Sequence, residues 1–268
     1  MTITADEFDT AVGKWNEWQS TPWGRLLYRV SQSNLARHLS QSPLRVLDVG
    51  GGNGTNSIFL AKQGHSVAWL DYSPAMLVEA RQAAEQAGVA DHISFHLADA
   101  GSLKERFQGQ QFDLVLCHLM VEFTPQPREV LQQICDLLAP QGVLSLLDAN
   151  RYSDVYLQAF QFQDLPAALG KIGTKGYFHP WFNRLTPLYS SAEMIGFLQT
   201  RECKRVGDYG VLCVCAYLPN EPKYEAGYYS QLEQLELELT DKYPYKLLAR
   251  FYQVIVEKQC GVADGQDT

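Results

Sequence analysis

The chain has 268 residues, 46% hydrophobic and 19% charged, a composition that excludes a disordered or collagen-like polymer and predicts one core with appendages. Its formal charge of −8, from 22 basic and 30 acidic residues, disfavours nucleic-acid binding through the surface as a whole and leaves only a local patch for it. No apolar run approaches the ~20 residues of a membrane span, residues 1–9 are acidic rather than signal-like, and six scattered cysteines show no metal-ligand spacing. A cytoplasmic protein with neither metal nor membrane partner is expected.

Residues 8–39 carry Trp15, Trp18, Trp23 and Tyr28, spaced to predict two helices broken near Pro22 and Gly24. They form an expected N-terminal helical cap, residues 1–43. From residue 44, short β-branched runs at 44–49, 66–70, 93–97, 112–118 and 143–147 alternate with helical patterns at 56–63, 74–87 and 128–139. That alternation predicts right-handed βαβ units and a doubly wound α/β fold around a parallel sheet. Ser73 before Pro74 marks a helix start, and Gly64 and Gly88 mark helix ends. Residues 150–189 break the rhythm with aromatics, Gly and Pro, and predict a mobile cover rather than a sheet element. A helix at 191–200, a strand at 211–217 with Cys213 and Cys215 on one face, an acidic helix at 224–239 and a last strand at 251–256 complete the chain.

The sharpest motif runs from Val46 through Asp48 and Val49 into Gly50, Gly51, Gly52, Asn53 and Gly54. A buried strand enters four glycines and then a helix, so backbone can pass close against a ligand at the strand's carboxyl end. A bare turn needs one glycine and leaves Asp48 without a role. The dinucleotide pattern GxGxxG fails, because its sixth position falls on Thr55 or Ser57.

What fits is D-x-G-x-G-x-G, which resembles the loop of class I S-adenosylmethionine-dependent methyltransferases. The resemblance implies a Rossmann-like, seven-stranded, mostly parallel sheet, with S-adenosylmethionine as cofactor. It further implies that Asp48, Gly50, Gly51 and Gly52 meet the cationic methionine part, and that Asp71, at the end of the second strand, accepts from both ribose hydroxyls. By the same resemblance Tyr72 and Met76 lie against adenine, Asp99 and Ala100 read its edge, and His118 meets the methionine moiety at the switch point. An arginine of the N-terminal helix, carried here onto Arg25, would contact the cofactor carboxylate. Core packing for Met76, a helix cap for Asp99 and a structural role for His118 stay open.

Within that class the chain resembles the tRNA 5-carboxymethoxyuridine methyltransferase group. The matching residues are Arg45 to Asp48 with the glycines, Ala83 to Glu85 with Gly88 and Val89, His118 to Glu122, Arg205 and Val206 with Asp208 and Tyr209, Leu235 to Glu238, Pro244, Tyr245 and Arg250. That group methylates the carboxylate of a modified wobble uridine in tRNA, so no catalytic base is assigned. A carboxylate is already ionised at neutral pH and needs mainly orientation and exclusion of water. Lys171, Lys175, Arg184, Arg201, Lys204 and Arg205 are the candidate cations, and Tyr177, Phe178, Trp181 and Phe182 could stack a splayed base. The group's dense lysine run is thinned here, and Trp15, Trp18 and Trp23 are foreign to it. A small-molecule O-methyltransferase acting on an aromatic or carboxylic metabolite is the alternative, and a non-catalytic cofactor-binding protein a third. The methyltransferase domain is expected at 44–268, with its lid at about 150–190.

Overall fold

In the computed structural model, residues 3–40 and 42–260 are described, so residues 261–268 of the expected domain lie outside the described residues. Three helices precede the sheet, α1 (Ala5–Asp9), α2 (Val12–Ser20) and α3 (Pro22–Ala36), where two were expected. Thr4 and Glu7 form a capping box that starts the additional helix. Thr21 accepts from the Gly24 amide at 3.1 Å with Pro22 in the first turn, so the expected break is a helix boundary.

Strands β1 (Arg45–Val49), β2 (Ser66–Asp71), β3 (Ile93–Leu97), β4 (Phe112–His118) and β5 (Leu138–Ala149) are linked through α4 (Thr55–Ala61), α5 (Pro74–Gln86), α6 (Leu103–Arg106) and α7 (Pro127–Leu137). They lie parallel, and β1 has β2 on one side and β4 on the other. The chain therefore reverses its direction of travel across the sheet at β1, which opens a crevice at the carboxyl ends of β1 and β4. Val46, Leu47, Val115 and Leu116 are fully buried because helices cover both faces, as their unbroken apolar runs require. One core half gathers Leu47 and Val115 with α7, the other Val46 and Leu116 with α4 and α5.

The lid region holds α8 (Ser153–Tyr156), α9 (Leu165–Lys171) and an antiparallel pair, β6 (Gly176–His179) with β7 (Arg184–Pro187). The expectation of no sheet element there is thus corrected. Phe178 opposite Leu185 faces out while His179 and Thr186 face in, a period of two hidden among the surrounding Gly and Pro. Asn183 takes the left-handed conformation in the connecting turn.

After α10 (Ser191–Gln199), the next strand is β8 (Cys203–Val211), followed by α11 (Ala226–Leu239) and β9 (Phe251–Lys258). The sheet order is β3-β2-β1-β4-β5-β9-β8, with β9 antiparallel to both neighbours. The strand expected at 211–217 is displaced. The amides of Cys213, Val214 and Cys215 donate to the Glu236 carboxylate of α11 at 2.6, 2.9 and 2.7 Å instead of to another strand. Cys213 and Cys215 therefore share no strand face, and Glu236 is wholly buried.

Candidate active site

The glycine loop is sewn to β2. Gly50 and Gly51 amides donate to the Leu70 carbonyl at 2.8 and 3.1 Å, and the Gly52 amide donates to Asp71 Oδ2 at 2.9 Å. Gly50 and Gly52 have φ of 72° and 50°, the left-handed region in which glycine is unstrained. A side chain on Gly51 would run into the Trp69 indole, whose Nε1 donates to the Gly52 carbonyl at 3.0 Å. The face of Gly52 is open, with nothing within 4 Å of where its Cβ would stand.

A cavity opens there, lined by Asp48, Gly50, Gly51, Gly52, Asp71, Tyr72, Met76, Asp99, Ala100 and His118. Strand ends account for the convergence: Asp48 is the penultimate residue of β1, Asp71 ends β2, Asp99 follows β3 and His118 ends β4. Arg25 is the exception and is corrected. It is exposed on α3, its guanidinium 5.4 Å from the Tyr229 ring centre. Leu27, two positions and so roughly 200° further round the helix, lines the cavity instead, together with Tyr28. Trp15 and Gln19 of α2 also line it, and Gln19 hydrogen-bonds both Asn53 and Tyr28, locking the N-terminal helices onto the glycine loop. The sequence signal for that pair was their i, i+4 spacing on one helix face.

Both central acids are desolvated. Burial pushes Asp48 up to about 6, opposed by the Ser57 hydroxyl that donates to it at 2.7 Å, with Asp71 adding repulsion. Asp71 is likewise raised to about 6 by burial, opposed by the amides of Ser73 and Gly52. Two amide bonds leave roughly half the lone-pair sites of its carboxylate for a ligand. The buried Tyr72 hydroxyl has no hydrogen-bond partner among the described residues. Asp99 caps the turn Ala100–Ser102 by accepting from the Gly101 amide at 2.6 Å, yet stays exposed on the rim. Met76 is fully buried and belongs to the core while also lining the cavity. His118 is neutral, lowered by burial to about 3; its Nε2 lies 2.8 Å from Ser145 Oγ and its Nδ1 3.3 Å from Asn56 Nδ2. With the Asn56 amide as donor, the ring proton is assigned to Nε2.

A second cavity of about 370 Å³ shares Trp15, Leu119 and Phe123 with the first. Its other walls include Trp18, Trp23, Tyr177, His179, Trp181, Glu122, Lys223 and Arg250. Tyr177 donates to Glu122 at 2.8 Å; burial raises Glu122 to about 7, eased by that bond and by Arg250. Arg250 donates to Ser153 at 2.7 Å and to Asp154 at 2.9 Å. None of the six expected cations lines this cavity. Lys171 lies 3.7 Å from Asp154, Arg184 pairs with Glu7, Arg205 is 3.9 Å from Asp208, and Arg201 sits over Phe197. Of the expected stacking rings, Tyr177 and Trp181 line it, whereas Phe178 is exposed and Phe182 packs against Phe8. Lys223 and Arg250 supply the cavity's cations instead; Lys223 stood alone in a Pro-flanked loop with no motif to mark it.

Among the described residues no cluster of His, Cys, Asp and Glu is arranged to hold a metal, and no helix is long and apolar enough to cross a membrane. The open face of Gly52, the spare acceptor sites of Asp71 and the unpartnered Tyr72 hydroxyl fit a nucleoside carrying polar and cationic groups. A family model described as "Methyltransferase domain" matches residues 40–184, more than half of the chain. The chain is 31% identical over 243 residues to tRNA 5-carboxymethoxyuridine methyltransferase of Escherichia coli K12, covering 89% of this chain and 90% of that one. To ubiquinone biosynthesis O-methyltransferase of Pseudomonas aeruginosa PAO1 it is 36% identical over 115 residues, covering 43% and 48%. Its fold resembles that of 1,6-didemethyltoxoflavin-N1-methyltransferase of Burkholderia thailandensis, solved with S-adenosylhomocysteine, at a TM-score of 0.60 and 18% identity, covering 96% of this chain and 87% of that one. Magnesium protoporphyrin IX methyltransferase of Synechocystis PCC 6803, solved with bound S-adenosylmethionine, gives 0.52 and 14%, with 88% and 79% covered. Fold, glycine loop and relatives agree: the chain belongs to the class I S-adenosylmethionine-dependent methyltransferases and is an enzyme that uses S-adenosylmethionine as its methyl donor.

Proposed function

We propose that this enzyme methylates the carboxylate of a 5-carboxymethoxyuridine-type wobble nucleoside in tRNA. One observation carries the proposal: the similarity to the tRNA 5-carboxymethoxyuridine methyltransferase covers 89% of the chain, far beyond residues 40–184. It therefore reaches into both the N-terminal and the tail segments, parts of which wall the second cavity. Similarity to the ubiquinone-pathway relative stops at 43%.

In this proposal the first cavity holds the cofactor. Asp71 accepts from the ribose, Tyr72, Met76, Asp99 and Ala100 surround the adenine, and Asp48 with Gly50, Gly51 and Gly52 faces the methionine part. When bound, S-adenosylmethionine supplies an electrophilic methyl group on a cationic sulfur. Residues 1–43 act as a cap on the domain 44–268, because Gln19 and Tyr28 close over the loop, and residues 150–190 form the lid of the second cavity. The aromatic walls exclude water, and burial raises the Glu122 pKa to about 7, which reduces its mean charge and so its repulsion of an anionic acceptor. A tRNA acceptor implies work in the cytoplasm and contact through the exposed Lys175 and Lys204.

A hydroxyl-bearing small molecule is favoured by one feature, the Glu122–Tyr177 pair, since a carboxyl near pH 7 can serve as a base. Mass spectrometry of bulk tRNA nucleosides from cells with and without the protein separates the two. Loss of a methyl ester on the wobble nucleoside is expected; an unchanged nucleoside profile would favour the small molecule.

A further inference from the structure

Of the two cations lining the second cavity, Lys223 has no ion-pair partner among the described residues. Arg250 is neutralised by Asp154, and Glu122 is bonded to Tyr177. Lys223 is only 1% exposed, and its Nζ donates to two neutral oxygens, the Leu218 carbonyl at 2.9 Å and Asn220 Oδ1 at 2.8 Å. The ammonium sits 5.4 Å from the centre of the Trp23 ring. Glu221 and Glu236 act on it only through space, and among the described residues no carboxylate reaches within ion-pair distance. Trp23, Asn220 and Lys223 all line the cavity. A buried ammonium is costly unless an anion meets it, and burial here lowers the Lys223 pKa, as that cost requires.

We infer that Lys223 is the acceptor-recognition residue, binding one oxygen of a carboxylate on the methyl acceptor. The inference rests on the proposed carboxyl methylation and deepens it. With one oxygen held by the ammonium, the other presents its lone pair to the methyl carbon. That lone pair forms the new O–C bond, the C–S bond breaks with its pair left on sulfur, and no proton moves. The ester product has no charge for Lys223 to hold, so acceptor and product are discriminated by the same residue. Trp23 beside the ammonium fits the same subsite through a cation–π contact.

The test compares wild type with Lys223→Met and Lys223→Arg on tRNA carrying free 5-carboxymethoxyuridine, with S-adenosylhomocysteine affinity as the measure of an intact fold. Lys223→Met should lower kcat/KM for this tRNA about 10- to 100-fold, mostly through KM, while S-adenosylhomocysteine affinity stays within about twofold. Lys223→Arg should restore most of the loss. In parallel, phenoxyacetate and its methyl ester are titrated against the S-adenosylhomocysteine complex. Tryptophan fluorescence should respond to the acid alone and only when Lys223 is present. Active wild type with an unaffected Met variant overturns the Lys223 subsite and leaves the proposed function standing. Inactive wild type with a Lys223-dependent phenoxyacetate response overturns the tRNA substrate and leaves the subsite standing. Loss of Lys223 dependence in both assays overturns the subsite outright.

Discussion

The two cavities meet at Trp15, Leu119 and Phe123 but are built in opposite ways. The first draws most of its acids and all of its glycines from the ends of successive parallel strands, so spacing along the chain becomes proximity in space. The second is assembled from α2, α3, the β6–β7 hairpin, the loop holding Lys223 and the start of β9, elements more than 200 residues apart in sequence. On the proposed assignment, contiguous construction suits a cofactor site and dispersed construction an acceptor site.

That contrast can be broken by substitution. The largest effect is expected at Glu236, which bears the wall of the second cavity through three amide bonds, two of them buried. Glu236→Ala leaves those amides unpaired and should cost about 3–5 kcal/mol in denaturant unfolding. At permissive temperature, acceptor KM should rise more than cofactor Kd; equal changes in both would show that the cavities are not separable. Gly51→Ala, which forces the fully buried Trp69 aside, should cost about 1–3 kcal/mol and weaken S-adenosylhomocysteine binding in calorimetry, with acceptor affinity changed less. Asp71→Ala should weaken cofactor binding roughly 10- to 100-fold through lost charge-assisted bonds.

Smaller effects come from pH. The folded pKa values of Asp48 and Asp71, about 6, exceed the ordinary aspartate value of 3.8, so the folded state holds these protons more tightly than the unfolded one. Stability from this source is fully present below pH 3.8 and lost as pH rises through about 6. Asp48→Asn should therefore raise Tm by several degrees at pH 8 and change it little at pH 4, while reducing cofactor affinity. Wild-type cofactor affinity should itself fall on acidification below pH 6, because the cationic ligand needs the ionised acids. A pH-independent Tm difference would remove the desolvation argument for Asp48.

How much was legible follows from the same contrast. Asp48, Asp71, Asp99 and His118 could be placed because each lies at or just beyond the carboxyl end of a strand whose apolar run is plain in the sequence. Arg25 could not, since an offset from Gly24 fixes a position on α3 but not the face it presents. The edge strand β8 carries Lys204, Arg205 and Asp208 and so resembles a loop, whereas the apolar 211–217 resembles a strand while its amides turn to Glu236. Lys223 carries no local signature at all. Its meaning depends on Trp23 and Asn220 enclosing it, and half of that enclosure lies 200 residues away.

The most direct test supplies the purified enzyme with methyl-labelled S-adenosylmethionine and tRNA bearing free 5-carboxymethoxyuridine, then digests the tRNA and treats the nucleosides with mild alkali. Carboxyl methylation predicts label on the wobble nucleoside that alkali releases as methanol. Label that survives alkali, or none on tRNA at all, would contradict it.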